Sequence, residues 1–301
     1  MSEAPLPRVD AVVVSYHSRA TLRACVAPLC DMPNVQVTVV DNASTDGSLE
    51  SVADLDLRAI PSGRNGGFGF GCNLGVASGS APYVLLLNPD ATITPEALGA
   101  LLDVLEREPS VALAAPRVLD SDGGLQRTQR NFPRLRSTWS QALFLQRVAP
   151  RARWADEVIW DPAAYERPGS PEWLSGACML VRRSAYEQVG GFDERFFLYC
   201  EDIDLCRSLR VAGHDLRYEP AATVHHVGGA SAPANTTKPI YARSRVAYAR
   251  KHYRRPAVGV ERAGIAVGEA AHALVSVARP RKARSHLAAL RAVLTPIGQG
   301  A

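Results

Sequence analysis

The sequence predicts an α/β fold in which a mostly parallel central sheet is flanked by helices and followed by a basic helical extension at the C-terminus. Short apolar runs alternate with helical patterns through the first half of the chain, as expected when crossover helices connect parallel strands. Several of these runs end in polar residues. Beyond residue 231 the chain becomes rich in small apolar and basic residues, which indicates a different kind of surface.

Apolar runs rich in Val, Ile and Leu mark the predicted strands, and the patterned segments between them mark the predicted helices. Strands are predicted at residues 9–15, 35–40, 57–60, 83–87 and 111–116. Helices are predicted at residues 19–29, 44–53, 68–78 and 94–107, the last introduced by Pro95. Because ligands of open α/β sheets gather beyond the carboxyl ends of the strands, the polar residues there are candidates for a binding site.

Size and composition predict a soluble globular protein. The chain has 301 residues, of which 47% are hydrophobic and 21% are charged. No uninterrupted apolar stretch approaches the roughly 18 residues of a membrane-spanning helix, and the first residues lack the basic and apolar regions of a secretion signal. Six cysteines occur without a C-x-x-C pair, so we expect reduced, buried thiols in a cytoplasmic protein.

Charge is unevenly distributed along the chain. From residue 232 onwards there are 13 Lys and Arg residues against two acidic ones, a net charge of +11, whereas the preceding residues carry −7. We therefore expect one domain at residues 1–231 and a basic amphipathic helical extension at residues 232–301. Helices of this kind often lie on anionic membranes, and helices that pack on the protein with a solvated basic face are the alternative.

The polar residues that follow the first strands favour a binding site, and each also has a plain structural explanation. Asp41 and Asn42 follow the second strand and are equally typical of a turn. The segment 63–71 has the glycines of a phosphate cradle, but its spacing matches neither a P-loop nor a dinucleotide-binding motif. Within it, Arg64 has a planar group suited to a phosphate or a pyrimidine carbonyl, and an exposed, solvated arginine is the alternative.

Three crowded carboxylates are the strongest sign of chemistry in the sequence. Glu201, Asp202 and Asp204 lie within four consecutive positions beside aromatic residues. A fold normally avoids such grouping unless a cation or a reacting proton compensates it. Asp204 is expected to hold Arg207 or Arg210 of the helix that follows.

Taken in order, these segments resemble family 2 glycosyltransferases with the GT-A fold, whose central sheet is Rossmann-like, and within that family the bacterial rhamnosyltransferase-like branch. The resemblance runs through residues 9–231. The segments that carry it are VVVSYHS, VVDNASTDGS, GRNGGFGFGCNLG, LLLNPDATITP, WLSGACMLVRRSAYEQVGGFDERFFLYCEDIDLCRSLRVAG and HHVGGAS. It implies an inverting, metal-dependent enzyme that moves a sugar from a nucleotide to an acceptor hydroxyl.

The resemblance implies roles in donor binding for individual residues. Ser15 and Tyr16 match the end of the first strand, which packs on the nucleotide base. Asp41 matches the acid that bonds the base or the ribose. Arg64 and Asn65 lie in the segment that closes over the nucleotide.

The resemblance also implies a site for Mn²⁺ or Mg²⁺. Asp90 matches the last acid of the family's D-x-D motif, and the chain departs from that motif at Asn88, which leaves one carboxylate where many relatives have two or more. An amide oxygen is a weaker ligand, so metal affinity is expected to be lower. Paired histidines in a strand are more often structural, but His226 lies where some relatives place an imidazole ligand, and His225 is the alternative.

For catalysis, the resemblance matches Asp202 to the base that takes the proton from the acceptor hydroxyl. Glu201 is expected to orient the acceptor or the base. Trp173 offers a flat face to an acceptor sugar, with a buried core tryptophan as the alternative. Gly176 lies in the same acceptor segment.

Substrates and partners are expectations from the resemblance. The rhamnosyltransferase-like segments favour dTDP-L-rhamnose as donor, ahead of UDP-linked hexoses, and a lipid-linked or growing cell-envelope glycan as acceptor. A non-catalytic protein that binds sugar nucleotides and a nucleotidyltransferase are the competing functions. We expect a peripheral position on the inner face of the cell membrane and no nucleic-acid partner, since no recognition motif accompanies the basic tail. An oligomer remains open.

Overall fold

A computed structural model describes residues 8–149, 152, 154–228 and 234–295, with the backbone alone at 234–236. The expected boundary between residues 231 and 232 lies outside the described residues, as does the end of the last family segment at 229–231. Among the described helices, none has the length and hydrophobicity needed to cross a membrane.

Strands and helices alternate through the first half of the described chain, as predicted. The strands are β1 (Val9–Ser15), β2 (Val35–Asp41), β3 (Arg58–Pro61), β4 (Tyr83–Leu87), β5 (Ala91–Ile93), β6 (Val111–Leu119), β7 (Leu125–Gln126), β8 (Gln129–Arg130), β9 (Trp173–Leu174), β10 (Cys178–Arg182) and β11 (Asp215–His226). The α-helices are α1 (Leu22–Cys30), α2 (Phe68–Ala77), α3 (Pro95–Arg107), α4 (Leu135–Ala142), α5 (Arg183–Gln188), α6 (Glu201–Val211), α7 (Ala234–His252), α8 (Arg255–Val275) and α9 (Pro280–Leu294).

The central sheet has the order β3-β2-β1-β4-β10-β6-β11-β5, with β7 paired to β6. Strands β1 to β4 are parallel, and in this register Ser15 at the end of β1 lies beside Asp41 at the end of β2. Strand β10 is antiparallel to both of its neighbours, β4 and β6. The α/β fold predicted from the sequence is confirmed, with a sheet that is parallel on one side and mixed on the other.

Two apolar cores lie on opposite faces of the sheet because successive side chains of a strand point in opposite directions. In β4, Leu85 and Leu87 join the core that contains α1 and α3, whereas Val84 and Leu86 join the core that contains α2 and α6. All four side chains are fully buried. The continuous apolar run in the sequence is therefore explained by helices on both faces.

The helix predicted at residues 44–53 is wrong, since the segment contains only a 3₁₀ turn at Glu50–Val52. Side chains in this segment bond its own backbone. Asp46 accepts hydrogen bonds from the backbone N–H of Ser48 at 3.1 Å and from its hydroxyl at 2.5 Å. Gly47 has a positive φ of 78°, outside the helical range. Such local bonds compete with helix formation, which propensity alone did not indicate.

The three C-terminal helices pack on the body of the protein and on one another. A small core of Ala242, Val246, Ala289 and Val293 joins α7 to α9. Tyr248 of α7 is buried in the core that also contains α2 and α6. At least α7 thus follows the packing alternative raised by the sequence, because one side of it faces the protein interior.

A buried ion cluster fixes α7 to two other parts of the chain. Arg245 on α7 donates to both carboxylate oxygens of Glu157, at 2.7 and 2.8 Å, and to Glu261 of α8 at 2.9 Å. The same guanidinium donates to the hydroxyl of Thr138 on α4 at 3.1 Å. All three charged side chains are buried. Loss of one partner would leave the others charged and unpaired in the interior.

We expect Arg245→Leu to lower the free energy of unfolding by about 3–5 kcal/mol, because two buried carboxylates lose their counter-charge. Arg243→Leu is the matched control, since Arg243 is an exposed arginine on the same helix, and it should change stability by less than about 0.5 kcal/mol. Urea unfolding followed by circular dichroism measures both. Equal effects of the two substitutions would show that the cluster does not hold α7.

Candidate active site

A cavity of about 400 Å³ lies beyond the carboxyl ends of β1 and β4, between the glycine-rich segment and α7. We call it the donor cavity. It brings together Tyr16, Asn65 and Asn88, which the sequence predicted. Its wall also contains residues that sequence reasoning missed, namely Phe197, Leu198, Thr237 and Ile240. The last two belong to α7, and no pattern in the sequence connects that helix with the ends of the strands.

Polar atoms without partners lie at the ends of β1 and β2. The hydroxyl of Ser15 and the Oδ1 atom of Asp41 are buried and make no hydrogen bond within the described residues. The other oxygen of Asp41 accepts the backbone N–H of Ser44 at 2.9 Å. Buried polar groups are normally bonded, so unpaired atoms at a strand end are suited to a polar ligand.

The glycine-rich segment packs closely against the chain that precedes α6. Gly67 has a φ of 92°, and a Cβ atom there would collide with the carbonyl oxygen of Phe197. The next residue, Phe68, donates its N–H to that carbonyl at 3.1 Å. Asn65 lines the donor cavity, whereas Arg64 is exposed and stacks on Phe70, with 4.4 Å between its Cζ and the ring centroid. Glycine at 67 therefore permits the close approach that forms this wall.

Asp90 and His226 form a pair at the end of β4. The Nε2 atom of His226 lies 3.1 Å from Oδ1 of Asp90 and 3.2 Å from the side-chain amide of Asn88. Burial raises the pKa of Asp90, but the hydrogen bond and charge of His226 outweigh it, so the pKa lies below its ordinary value. His225 is exposed on the other face of β11. Of the two histidines, His226 is the one that faces Asp90.

The tautomer of His226 follows from its second partner. Gln126 donates its amide N–H to the carbonyl of His226 at 2.7 Å, which orients the amide and directs its oxygen to Nδ1 of His226, 2.9 Å away. In the neutral ring Nδ1 then carries the proton and Nε2 has a lone pair, so Nε2 donates to the Asp90 carboxylate only when the ring is also protonated there. A nitrogen lone pair and a carboxylate oxygen repel each other, so this contact is favourable only with a proton or a cation between them.

This donor set fits a hard divalent cation that takes further ligands from a substrate. Asp90 supplies a carboxylate oxygen, His226 an imidazole nitrogen, and Asn88 an amide oxygen once its side-chain amide is turned over. No group of three or more His, Cys, Asp or Glu side chains suited to a metal occurs among the described residues. The protein contribution is therefore small, as is common where phosphate oxygens complete the coordination.

Asp202 lies in the first turn of α6, beside the chain that leads into β10. Its Oδ2 atom accepts the N–H of Gly176 at 3.2 Å, and its Oδ1 atom accepts the N–H of Ile203 at 2.8 Å. Burial raises the pKa of Asp202 above its ordinary value, although these hydrogen bonds and the charge of Arg130 oppose the effect. A carboxylate with a raised pKa is a better proton acceptor.

Glu201 directly precedes Asp202 at the start of α6 and is more fully buried. Its side chain is buried, and its Oε2 atom makes no hydrogen bond within the described residues. Burial and the neighbouring charge of Asp202 raise the pKa of Glu201 well above its ordinary value. Of the two carboxyl groups, Glu201 is therefore the one that holds a proton more readily.

A backbone path joins the two halves of the site. The N–H of Asn88 donates to the carbonyl of Ala177 at 3.0 Å, and the preceding residue, Gly176, donates to Asp202. The structure thus brings Asn88, Gly176 and Asp202 together. Trp173 lies deeper. Its ring is buried and its indole N–H donates to the carbonyl of Asn131 at 2.9 Å, which is typical of a core tryptophan.

The prediction that Asp204 holds Arg207 or Arg210 is wrong. Its carboxylate is buried and pairs with Lys251 at 2.8 Å and His252 at 2.7 Å, both at the end of α7. Arg207 instead donates to the hydroxyl of Tyr248, and Arg210 donates to the carbonyl of Glu172. Asp204 points away from its own helix, so spacing within α6 did not predict its partner.

The residues before α6 are held in an unusual conformation. Tyr199 and Cys200 both have a φ of 68°, which is costly for residues with a side chain. Helix α7 supports this turn, since the hydroxyl of Ser244 donates to the carbonyl of Leu198 at 2.8 Å and the ring of Tyr241 packs edge-on against Tyr199. The turn determines where α6 begins, and hence where Asp202 lies.

Comparison with known proteins agrees with the sequence segments. The model of glycosyl transferase family 2 matches residues 10–190. The N-acetylglucosaminyl-diphospho-decaprenol L-rhamnosyltransferase of Mycobacterium tuberculosis is 38% identical over 208 residues, which are 64% of this chain and 66% of that protein. The rhamnosyltransferase WbbL of Escherichia coli is 30% identical over 171 residues, 53% of this chain and 60% of that protein. In both cases the match spans less than two thirds of the relative.

Solved structures show the same fold at low sequence identity. The mannosyltransferase PcManGT from Pyrobaculum calidifontis, in complex with GDP-Man and Mn²⁺, is 16% identical, with a TM-score of 0.57 over 96% of this chain and 86% of that one. Residues 1–349 of TarS from S. aureus, in complex with UDP-GlcNAc, are 13% identical, with a TM-score of 0.53 over 95% of this chain and 90% of that one.

Proposed function

This chain belongs to glycosyl transferase family 2 and is therefore a glycosyltransferase, and we propose that it transfers L-rhamnose from dTDP-L-rhamnose to a hydroxyl of a lipid-linked or cell-envelope glycan. The names of its mycobacterial and E. coli relatives support this donor, and the decaprenol in the mycobacterial name supports this acceptor. The observation that carries the proposal is the hydrogen-bonded link from Asn88, which lines the donor cavity, through residues 176–177 to Asp202.

The donor nucleotide occupies the donor cavity in this proposal. The exposed ring of Tyr16 stacks on the base. The unpaired oxygen of Asp41 accepts a hydrogen bond from the base or ribose, and the hydroxyl of Ser15 donates or accepts one there. Asn65 lies in the cavity wall and Arg64 at the surface beside it, where its charge faces the nucleotide when the segment closes.

Asp90 and His226 would hold a divalent cation, with Asn88 as a weaker third ligand. When bound, such an ion neutralises the diphosphate of the donor and of the departing nucleoside diphosphate. The distance of 3.1 Å between Nε2 of His226 and Oδ1 of Asp90 supports this assignment. Asn88 provides less negative charge than a carboxylate, so we expect binding of the ion to depend strongly on the donor.

Asp202 acts as the general base. Its carboxylate removes the proton from the acceptor hydroxyl as that oxygen forms a bond to the anomeric carbon, and the bond to the nucleoside diphosphate breaks on the opposite face. One displacement of this kind inverts the anomeric carbon. Burial raises the pKa of Glu201, which in its protonated form has an O–H to donate to the acceptor, and Gly176 fixes the orientation of Asp202. Trp173 packs in the core beneath the acceptor side of the site and supports it.

Lipid-linked acceptors also support a peripheral position on the inner face of the cell membrane. The net charge of +11 after residue 231 favours anionic lipid. A second candidate function, sugar-nucleotide binding without turnover, is favoured only by the loss of a carboxylate at Asn88. The raised pKa of Asp202 supports turnover instead.

A donor panel tests the proposed substrate. We expect release of nucleoside diphosphate to be fastest with dTDP-L-rhamnose, slower with UDP-glucose or UDP-GlcNAc, and abolished when EDTA removes the divalent ion. Release is measured with a coupled assay in Mn²⁺ and in Mg²⁺. Faster release from a UDP-hexose would replace the donor assignment, and donor binding without release from any donor would favour the non-catalytic function.

Asp202→Asn should lower transfer by about 100-fold or more while donor binding stays nearly unchanged, because the amide cannot accept the proton. Asp122→Asn, at an exposed position, is the control. In the parent enzyme the raised pKa of Asp202 means that activity falls on acidification at a higher pH than for an ordinary aspartate. Turnover by Asp202→Asn at the parent rate would exclude this residue as the base.

Asp90→Ala and His226→Ala should each weaken Mn²⁺ binding and, with it, Mn²⁺-dependent donor binding by about tenfold or more, because each supplies a ligand. His225→Ala is the matched control, since this exposed neighbour points away from Asp90. Electron paramagnetic resonance measures free Mn²⁺, and calorimetry measures donor affinity. A larger effect of His225→Ala than of His226→Ala would contradict the assignment.

A further inference from the structure

Three helix ends meet at one end of the C-terminal helices. Helices α7 and α9 are parallel to each other and antiparallel to α8, and α9 packs against both of the others. Lys238 near the start of α7 lines a cavity with Ser285 and His286 of α9, and His286 stacks on His272 of α8 with 5.2 Å between ring centroids. The start of α7, the end of α8 and the start of α9 therefore form one surface.

Large aliphatic side chains are exposed on this surface. At the end of α8, Leu274, Val275 and Val277 expose 74%, 63% and 68% of their area. A second segment adjoins them, because the ring of Phe144 packs on His272 at 4.5 Å. That segment exposes further aliphatic residues, Leu143, Leu145 and Val148. We call these six residues the apolar edge. Exposed aliphatics that group in this way mark an interaction surface.

A basic cavity lies next to the apolar edge. It has a volume of about 910 Å³ and is lined by the cations Lys238, Arg281, Lys282 and Arg284. Among the described residues in its wall there is no carboxylate. Several cations that share one cavity repel one another, so the cavity favours an anion with several charged oxygens.

The basic cavity and the donor cavity lie on neighbouring faces of the same helical turn. Thr237 and Ile240 line the donor cavity, whereas Lys238 lines the basic cavity. Since an α-helix with its side chains is about 10 Å across, only the thickness of α7 separates them. A partner that occupies the basic cavity is held beside the donor cavity.

We propose that the apolar edge and the basic cavity together dock the enzyme on an anionic phospholipid bilayer. The aliphatic side chains enter the boundary between head groups and acyl chains, and lipid phosphates occupy the basic cavity. This deepens the proposed function, on which it rests for the lipid-linked acceptor. The sequence indicated only that the basic tail contacts a membrane; the structure adds residues 143–148 and so fixes which side of the protein faces the lipid.

Charge favours a bilayer over a second copy of the chain. In a symmetric dimer through this face, both basic cavities would lie in one interface, and like charges would be buried together. A bilayer that contains phosphatidylglycerol supplies negative charge and an apolar layer in the arrangement that the surface requires. The occupant we assign is therefore anionic phospholipid.

Vesicle co-sedimentation tests the proposal on the full chain without donor or acceptor, so its result does not depend on transferase activity. The protein should bind vesicles of equal parts phosphatidylglycerol and phosphatidylcholine at low salt, and bind phosphatidylcholine alone only weakly. Arg281→Gln/Lys282→Gln should reduce binding about 25-fold, a factor of about five for each charge. Leu274→Gln/Val277→Gln should reduce it about tenfold or more, because the apolar insertion is lost.

Matched controls remove the same groups elsewhere. Arg250→Gln/Arg255→Gln removes two exposed charges at the opposite end of the helices, and Val211→Gln alters an exposed aliphatic residue on α6. Both should bind vesicles like the parent, with unchanged circular dichroism. Failure of the parent to bind, equal losses in the controls, or a dimer in light scattering that Leu274→Gln/Val277→Gln dissociates would overturn the proposal.

Discussion

The antiparallel pairing of β10 with β4 is the constraint on which the site depends. It places the start of β10 beside the end of β4, so that residues 176–177 lie between Asn88 and Asp202 and bond to both. A parallel strand in that position would have its end at this edge, and the residues before its start would lie at the opposite edge. One reversal of strand direction therefore brings the proposed metal ligands and the proposed base to one place.

Helix α7 is the second element that the site requires. It closes the donor cavity with Thr237 and Ile240, supports the strained turn before α6, and neutralises Asp204 with its last residues. The buried pairing of Arg245 with Glu157 and Glu261 holds it in that position. The basic composition of the tail thus has two origins, since some of its cations compensate buried carboxylates and others remain at the surface.

Much of the fold was predictable because apolar runs and turn residues are local signals. The strand ends at Ser15 and Asp41 followed directly from the end of each apolar run. The choice of His226 over His225 came from the resemblance rather than from a local signal; in the structure Val224 is buried, and the residue two positions later shares its face. Apart from the local turn at residues 44–53, what the sequence did not predict depends on distant contacts. Asp204 meets residues 47 and 48 positions away, and no local pattern specifies such a partner.

The identity of the base is itself a consequence of environment. Glu201 and Asp202 are adjacent carboxyl groups, and their charges raise the cost of ionising both. Asp202 accepts two backbone N–H groups at the start of α6, where the helix dipole also favours negative charge, whereas Oε2 of Glu201 is buried without a partner among the described residues. When the pair holds a single proton, that proton therefore resides on Glu201. Asp202 keeps its charge, and the pair divides into one acid and one base.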